Sequence, residues 1–149
     1  VSQIIIRLAR PDEYDRIARV WMDSWVSTGL EDASDALLAK LRARVPVEVE
    51  KGWSLYVADD NGKLAAMLAL HLSDRYLDQL FVAPEYQGNS VGRQLLAFTR
   101  RHLPDEIWLR CVRENEKVWR WYEREGFVFE KEEPMTGRFM KYYRWRKSA

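Results

Sequence analysis

The stretch "WSLYVADDNGKLAAMLALHL" (53–72) sets two apolar runs on either side of Asn61-Gly62. Asn and Gly both tolerate the positive φ that a two-residue turn needs, so this pair predicts a β-hairpin in mid-chain. A third run, "RYLDQLFVA" (75–83), follows at once and is expected to continue the antiparallel meander. Elsewhere strand patterns are separated by helical ones. Strands joined through a helix are expected to be parallel, with a right-handed crossover. A mixed sheet follows from the two rules together.

The remaining elements are read from periodicity and punctuation. "QIIIRLA" (3–9) is apolar and β-branched, a predicted strand, and Pro11 with Asp12 opens a helix. Tyr14, Ile17, Ala18, Trp21 and Trp25 fall on one face of that helix, which ends near Gly29. Leu37, Leu38, Leu41 and Val45 mark a second helix from about Ser34 to Val45, which Pro46 is expected to stop. A helix from about Ser90 to His102, the strand "EIWLRCV" (106–112), a helix from Glu114 to Glu125 closed by Gly126, and the strands "FVFEK" and "RFMKYYRW" complete the chain. The predicted class is α/β, in the order β-α-α-β-β-β-α-β-α-β-β.

Composition narrows the function classes. The chain has 149 residues, 47% hydrophobic and 32% charged, as a globular domain does, and no repeat or linker divides it. One domain over 1–149 is expected. Its 24 basic and 23 acidic groups leave a net charge of +1, which gives no general reason to expect nucleic acid or membrane as a partner. No apolar run approaches the ~20 residues of a spanning helix, and the opening "VSQIIIRLARPDEYD" does not read as a signal peptide. A single cysteine, Cys111, excludes an internal disulfide and suits a reducing compartment. A soluble, cytoplasmic protein is the expectation.

Two windows carry chemistry. "VAPEYQGNSVGRQLL" (82–96) runs from a strand through a glycine turn into a helix. Alone it reads as an ordinary βα connection. Alternatively, Gly88 and Gly92 leave the first N–H groups of the helix bare for an anion, favoured there by the helix dipole. It is neither a P-loop nor a dinucleotide fingerprint. "RENEKVWRWYEREGF" then places Asn115 and Tyr122 two turns apart on one helix face.

With Gln87, Ser90 and Gly92 after the expected fourth strand, then Asn115, Tyr122, Gly126 and Phe127, the chain resembles the GNAT N-acetyltransferases over essentially its whole length. The resemblance implies a GNAT-like mixed central sheet flanked by helices. It also implies direct acetyl transfer from acetyl-CoA to a primary amine within a ternary complex, without a metal. One motif glycine is replaced by Ser90, a residue that keeps its N–H and is a good helix N-cap.

The roles it implies fall on particular residues. Tyr122 would protonate the CoA thiolate, against the alternative of a packing tyrosine. Asp78, an acid on an apolar strand, is the candidate general base, against that of a solvated strand-end carboxylate. Leu80, Phe81 and Val82 would offer backbone groups to the pantetheine arm, and Asn115 would bond it, against the alternative of a local bond at the helix N-terminus. Gln87, Gly88, Asn89, Ser90, Val91, Gly92 and Arg93 would surround the pyrophosphate. His71 reads as an exposed strand-end histidine and Cys111 as a small core residue. Trp25 and residues 26–34 fall where an acceptor loop would be. The acceptor is a small-molecule or peptide amine, with a homodimer left open. A non-catalytic acyl-CoA-binding regulatory module and an interaction domain using the basic tail are the alternatives. That tail is expected instead to be a final strand whose basic residues guard the sheet edge.

Overall fold

The structure, a computed structural model, describes residues 3–148. Its elements are β1 (Ile4–Leu8), α1 (Tyr14–Val26), α2 (Asp35–Glu50), β2 (Ser54–Asp60), β3 (Lys63–His71), β4 (Tyr76–Val82), α3 (Val91–His102), β5 (Glu106–Val112), α4 (Glu116–Arg124), β6 (Val128–Met135) and β7 (Arg138–Arg146). The order is the one predicted. The seven strands form one sheet, β1-β2-β3-β4-β5-β7-β6, in which only β4 and β5 pair in parallel. Asn61 (φ 52°) and Gly62 (φ 93°) make the β2–β3 turn, and the Gly62 N–H is held by the Asp59 carboxylate at 2.7 Å.

The sheet is buried on both faces at its centre, where β3 is covered from Leu64 to Leu70. Ile17, Trp21, Leu41 and Val45 from α1 and α2 meet Leu55, Val57 and Met67 on one face. Val91, Leu95 and Leu96 of α3 and Tyr122 of α4 meet Tyr56, Leu68, Leu109 and Tyr143 on the other. The period of two along the strands sends alternate side chains to these two cores.

Three expectations are corrected. β1 and β2 are joined through helices yet pair antiparallel, because two helices in succession, α1 and α2, return the chain to the sheet in the opposite sense. Pro46 does not stop α2, which continues to Glu50. Val45 is fully buried and Val49 packs on the same core one turn later, so tertiary burial outweighs the missing N–H of the proline. Pro46 itself is exposed, leaving the unbonded carbonyl a turn earlier to water. The basic last strand does not guard an edge either, because β7 lies between β5 and β6. Its Arg144 reaches across both neighbours, to Glu130 of β6 and Glu106 of β5, each at 3.0 Å. β6 is the edge strand on that side, and its "EKEEP" stretch carries the charges and proline that discourage further strand pairing.

One charge is buried where β1 meets α1. Glu13 has no solvent exposure. Arg7 grips it with two hydrogen bonds, at 2.6 and 3.0 Å, and the Arg10 backbone N–H donates at 2.8 Å. The Arg7 bond chiefly, helped by that N–H and opposed by burial, holds the Glu13 carboxyl at about 2, below its ordinary 4.5. A depressed carboxyl contributes stability in full above the unfolded value and loses it as pH falls through the folded one. Glu13→Gln is therefore expected to destabilise the fold by about 1–3 kcal/mol at neutral pH. The gap should close between pH 4.5 and about 2. Urea unfolding of both proteins across that range checks it; a gap independent of pH would assign the loss to packing.

Candidate active site

β4 and β5 share a single bridged pair, Tyr76 with Trp108, and then separate. The register of β3 against β4 passes from Ala69–Gln79 to Leu70–Leu77, so Asp78 is an extra residue on β4. Such a bulge increases local twist and re-aims the side chain it carries. Beyond it the two strands diverge, leaving a gap in the sheet flanked by Leu80, Phe81 and Val82 on one side and Cys111 and Val112 on the other. The Val82 carbonyl takes a hydrogen bond from the Gln87 side chain at 3.0 Å.

A cavity of about 340 Å³ opens at this gap. Asp78, Leu80 and Phe81 from β4, Arg110 and Cys111 from β5, and Asn115 and Tyr122 from α4 all line it. Trp25 and Glu31 line it from the α1 side, with the Trp25 indole N–H on Glu31 at 2.8 Å. Tyr122 is buried, its ring edge-on to Phe127 at 5.3 Å. Its hydroxyl takes no hydrogen bond from protein among the described residues. Burial, with Cys111 beside it, raises that hydroxyl well above the ordinary tyrosine value, so it keeps its proton at neutral pH. Asn115 occupies the N-cap position of α4 but its side chain does not cap it, which leaves the amide for the cavity.

Asp78 is not in open water. Its Oδ2 accepts from the Trp53 indole at 2.7 Å and stands 3.2 Å from Nε2 of His71, while Oδ1 accepts from Gln79 at 3.1 Å. His71 is thus a partner of Asp78 and not a free strand-end histidine, a pairing made by the β3–β4 turn that sequence spacing could not display. Cys111 is a buried core residue whose thiol burial pushes up to about 12, which keeps it protonated.

The glycine turn lies at the other end of the gap. Gly88 has φ 85° and Ser90 φ 65°, both in the left-handed region. Ser90 occupies the N-cap position of α3, yet its side chain does not cap the helix, contrary to expectation. The first helical bond runs from Gln94 N–H to the Ser90 carbonyl at 3.0 Å, so the amides of Val91, Gly92 and Arg93 have no protein acceptor among the described residues. Asn89 N–H is taken by the Tyr86 carbonyl at 3.3 Å. Arg93 is exposed and points to Glu125 at 3.3 Å. A Cβ at Gly92 would meet Trp121 at 3.5 Å, an ordinary contact, so space for an alanine exists there.

Arg110 and Trp53 are the site residues that sequence reasoning passed over, and His71 is one that it read as merely exposed. Arg110 carried one signal, a charge within the otherwise apolar "IWLRCV". Among the described residues no group of acidic, histidine or cysteine side chains is placed to hold a metal ion, and no helix is long and apolar enough to cross a membrane.

No curated protein matches the sequence closely. Solved structures do match its fold. PH1933 from Pyrococcus horikoshii superposes with a TM-score of 0.82 at 18% identity, covering 99% of this chain and 100% of its own. The PaiA N-acetyltransferase of Thermoplasma acidophilum, solved in complex with coenzyme A, gives 0.74 at 18% identity, with 97% and 99% covered. An acetyltransferase from Thermus thermophilus gives 0.77 at 17% identity, with 97% of each chain covered. The sequence matches the model of the Acetyltransferase (GNAT) family over residues 14–127, which includes the split β4–β5 pair, the turn before α3 and α4 through Phe127. The chain belongs to the GNAT acetyltransferase family.

Proposed function

We propose that this protein moves an acetyl group from acetyl-CoA to a primary amine by direct attack within a ternary complex. The observation that carries the reading is the convergence of the Tyr122 hydroxyl and the Asp78 carboxylate on one cavity at the mouth of the β4–β5 gap. The residues present suit acetyl-CoA. Unpaired amides at Val91, Gly92 and Arg93 are donors for a pyrophosphate at the positive end of α3. The backbone of Leu80 and Phe81 on the unpaired side of β4 suits a pantetheine arm, with Asn115 lining the same cavity. The thioester supplies an activated acetyl carbon.

The amine must be neutral to attack. Asp78, held by Trp53, His71 and Gln79, receives the proton that the amine gives up. As the N–C bond forms and the C–S bond breaks, Tyr122 gives its proton to the sulfur, and its burial keeps that proton available until then.

Acetyl-CoA is expected to stabilise the folded protein, by about 2.7 kcal/mol at a hundredfold excess over Kd. Thermal unfolding with and without it checks this, and no shift would remove the cofactor assignment. Gly92→Glu should abolish that shift by placing a carboxylate against the phosphate seat, whereas Gly92→Ala should keep it, since the added Cβ makes only ordinary contact with Trp121. Ser90→Gly should raise stability by about 1 kcal/mol through relief of the left-handed backbone, with cofactor affinity retained; a loss of stability would show that the serine side chain contributes more than its backbone costs. Tyr122→Phe should lower kcat by roughly 10²–10⁴-fold with little change in acetyl-CoA affinity. Equal kcat values in steady-state assays would reduce Tyr122 to a packing residue.

A further inference from the structure

The charges of the cavity do not balance. Two carboxylates line it, Asp78 and Glu31, and both already hold donors from tryptophan. Three cations line it as well: Lys40, Arg44 and Arg110. Among the described residues, none of the three is in ion-pair contact with a carboxylate. Lys40 and Arg44 are exposed one turn apart on α2, and Arg44 lies over the Trp21 ring at 5.0 Å.

Arg110 is the more informative of them. It is half-buried on β5. Its Nε donates to the Tyr76 hydroxyl at 3.0 Å and one terminal nitrogen to the Tyr142 hydroxyl at 3.3 Å. Both are neutral acceptors, and burial of Tyr76 pushes its hydroxyl further from ionisation. A guanidinium has five N–H donors in a planar fork, so three remain. A half-buried cation whose direct hydrogen-bond partners are both phenols has capacity for an anion beyond Asp78, which acts on the Tyr76 hydroxyl. The two tyrosines hold the fork in place, and Arg110 lines the cavity with donors to spare, which a carboxylate can meet with paired bonds. Asp78 lies on the other strand of the gap, and both it and Arg110 are two residues beyond the last bridged pair, Tyr76 with Trp108.

We propose that the acceptor is an amine that also bears a carboxylate, a free amino acid, and that Arg110 receives this carboxylate while Asp78 faces the amine. The inference rests on the acetyl-transfer reading above and names its substrate class. A polyamine would add positive charge to a cavity whose three cations already outnumber its two carboxylates, so it is disfavoured by like charge.

The test uses the twenty common amino acids, each beside its C-terminal amide, and spermidine as a polyamine without a carboxylate. CoA thiol release is followed for the wild type and for Arg110→Gln, and thermal unfolding with acetyl-CoA is recorded for both. At least one free acid should exceed its amide in kcat/KM by ~10-fold or more, the size of a lost charge-assisted pair. In Arg110→Gln that preference should vanish through a raised KM for the acid, with the acetyl-CoA shift unchanged. Binding of the corresponding N-acetyl amino acid, read by intrinsic tryptophan fluorescence, to which the cavity's Trp21 and Trp25 contribute, should weaken in parallel. An amide equal to its acid for every pair, spermidine as the best acceptor, or no acid turned over would overturn the proposal while a retained acetyl-CoA shift leaves the transferase reading intact. Absence of that shift in the wild type would bring down both.

Discussion

The parting of β4 from β5 after the Tyr76–Trp108 pair is the feature on which the site depends. A sheet normally satisfies every interior N–H and C=O by pairing, so a gap leaves backbone polar groups that need another partner. The extra residue at Asp78 twists β4 at the point where pairing ends. The same bulge turns the Asp78 carboxylate toward the cavity, where Trp53, His71 and Gln79 hold it. One local irregularity thus opens the gap and places an acid beside it.

The gap persists because its two walls belong to different packing units. β4 is clamped between α1 on one face and α3 on the other, while β5 is tied along its whole length to β7. Closing the gap would pull one wall off its own core. The Trp21 ring, stacked on Phe81 at 6.2 Å and against Trp53 at 5.8 Å, fixes the β4 wall from the α1 side. On the β5 side, Tyr143 is fully buried and anchors its hydroxyl on Glu123 of α4 at 2.8 Å. That bond sets α4, and with it Asn115 and Tyr122, against the open wall. The buried Glu13–Arg7 pair does comparable work at the far edge, fixing the entry of α1 on β1.

Electrostatics then differ between the ends of the gap. At the turn before α3, bare amides and the helix dipole favour an anion without any charged side chain in the first turn except the outward-facing Arg93. In the cavity, a protonated tyrosine, a held carboxylate and an arginine on two phenols stand on three separate elements. Each is positioned by neighbours that are not themselves reactive, which is how a rigid scaffold keeps a site in order before substrate arrives.

What could be read from residues in order is what depends on local physics. The Asn61-Gly62 hairpin, the two helix faces, the glycine turn and the seven-residue spacing of Asn115 and Tyr122 all follow from period and backbone preference. Their order was enough to anticipate a mixed sheet and a GNAT-like arrangement. The continuation of α2 through Pro46 was not, because burial of Val45 and Val49 against a distant sheet outweighs a local signal. Nor was the place of β7 between β5 and β6, since strand pairing joins residues far apart along the chain. The Asp78 bulge, its bond to Trp53 across 25 residues and the seating of Arg110 on Tyr76 and Tyr142 are of the same kind. Local preference names the residues able to do chemistry, but non-local packing sets which of them meet, because distances across a sheet bear no relation to distances along a chain.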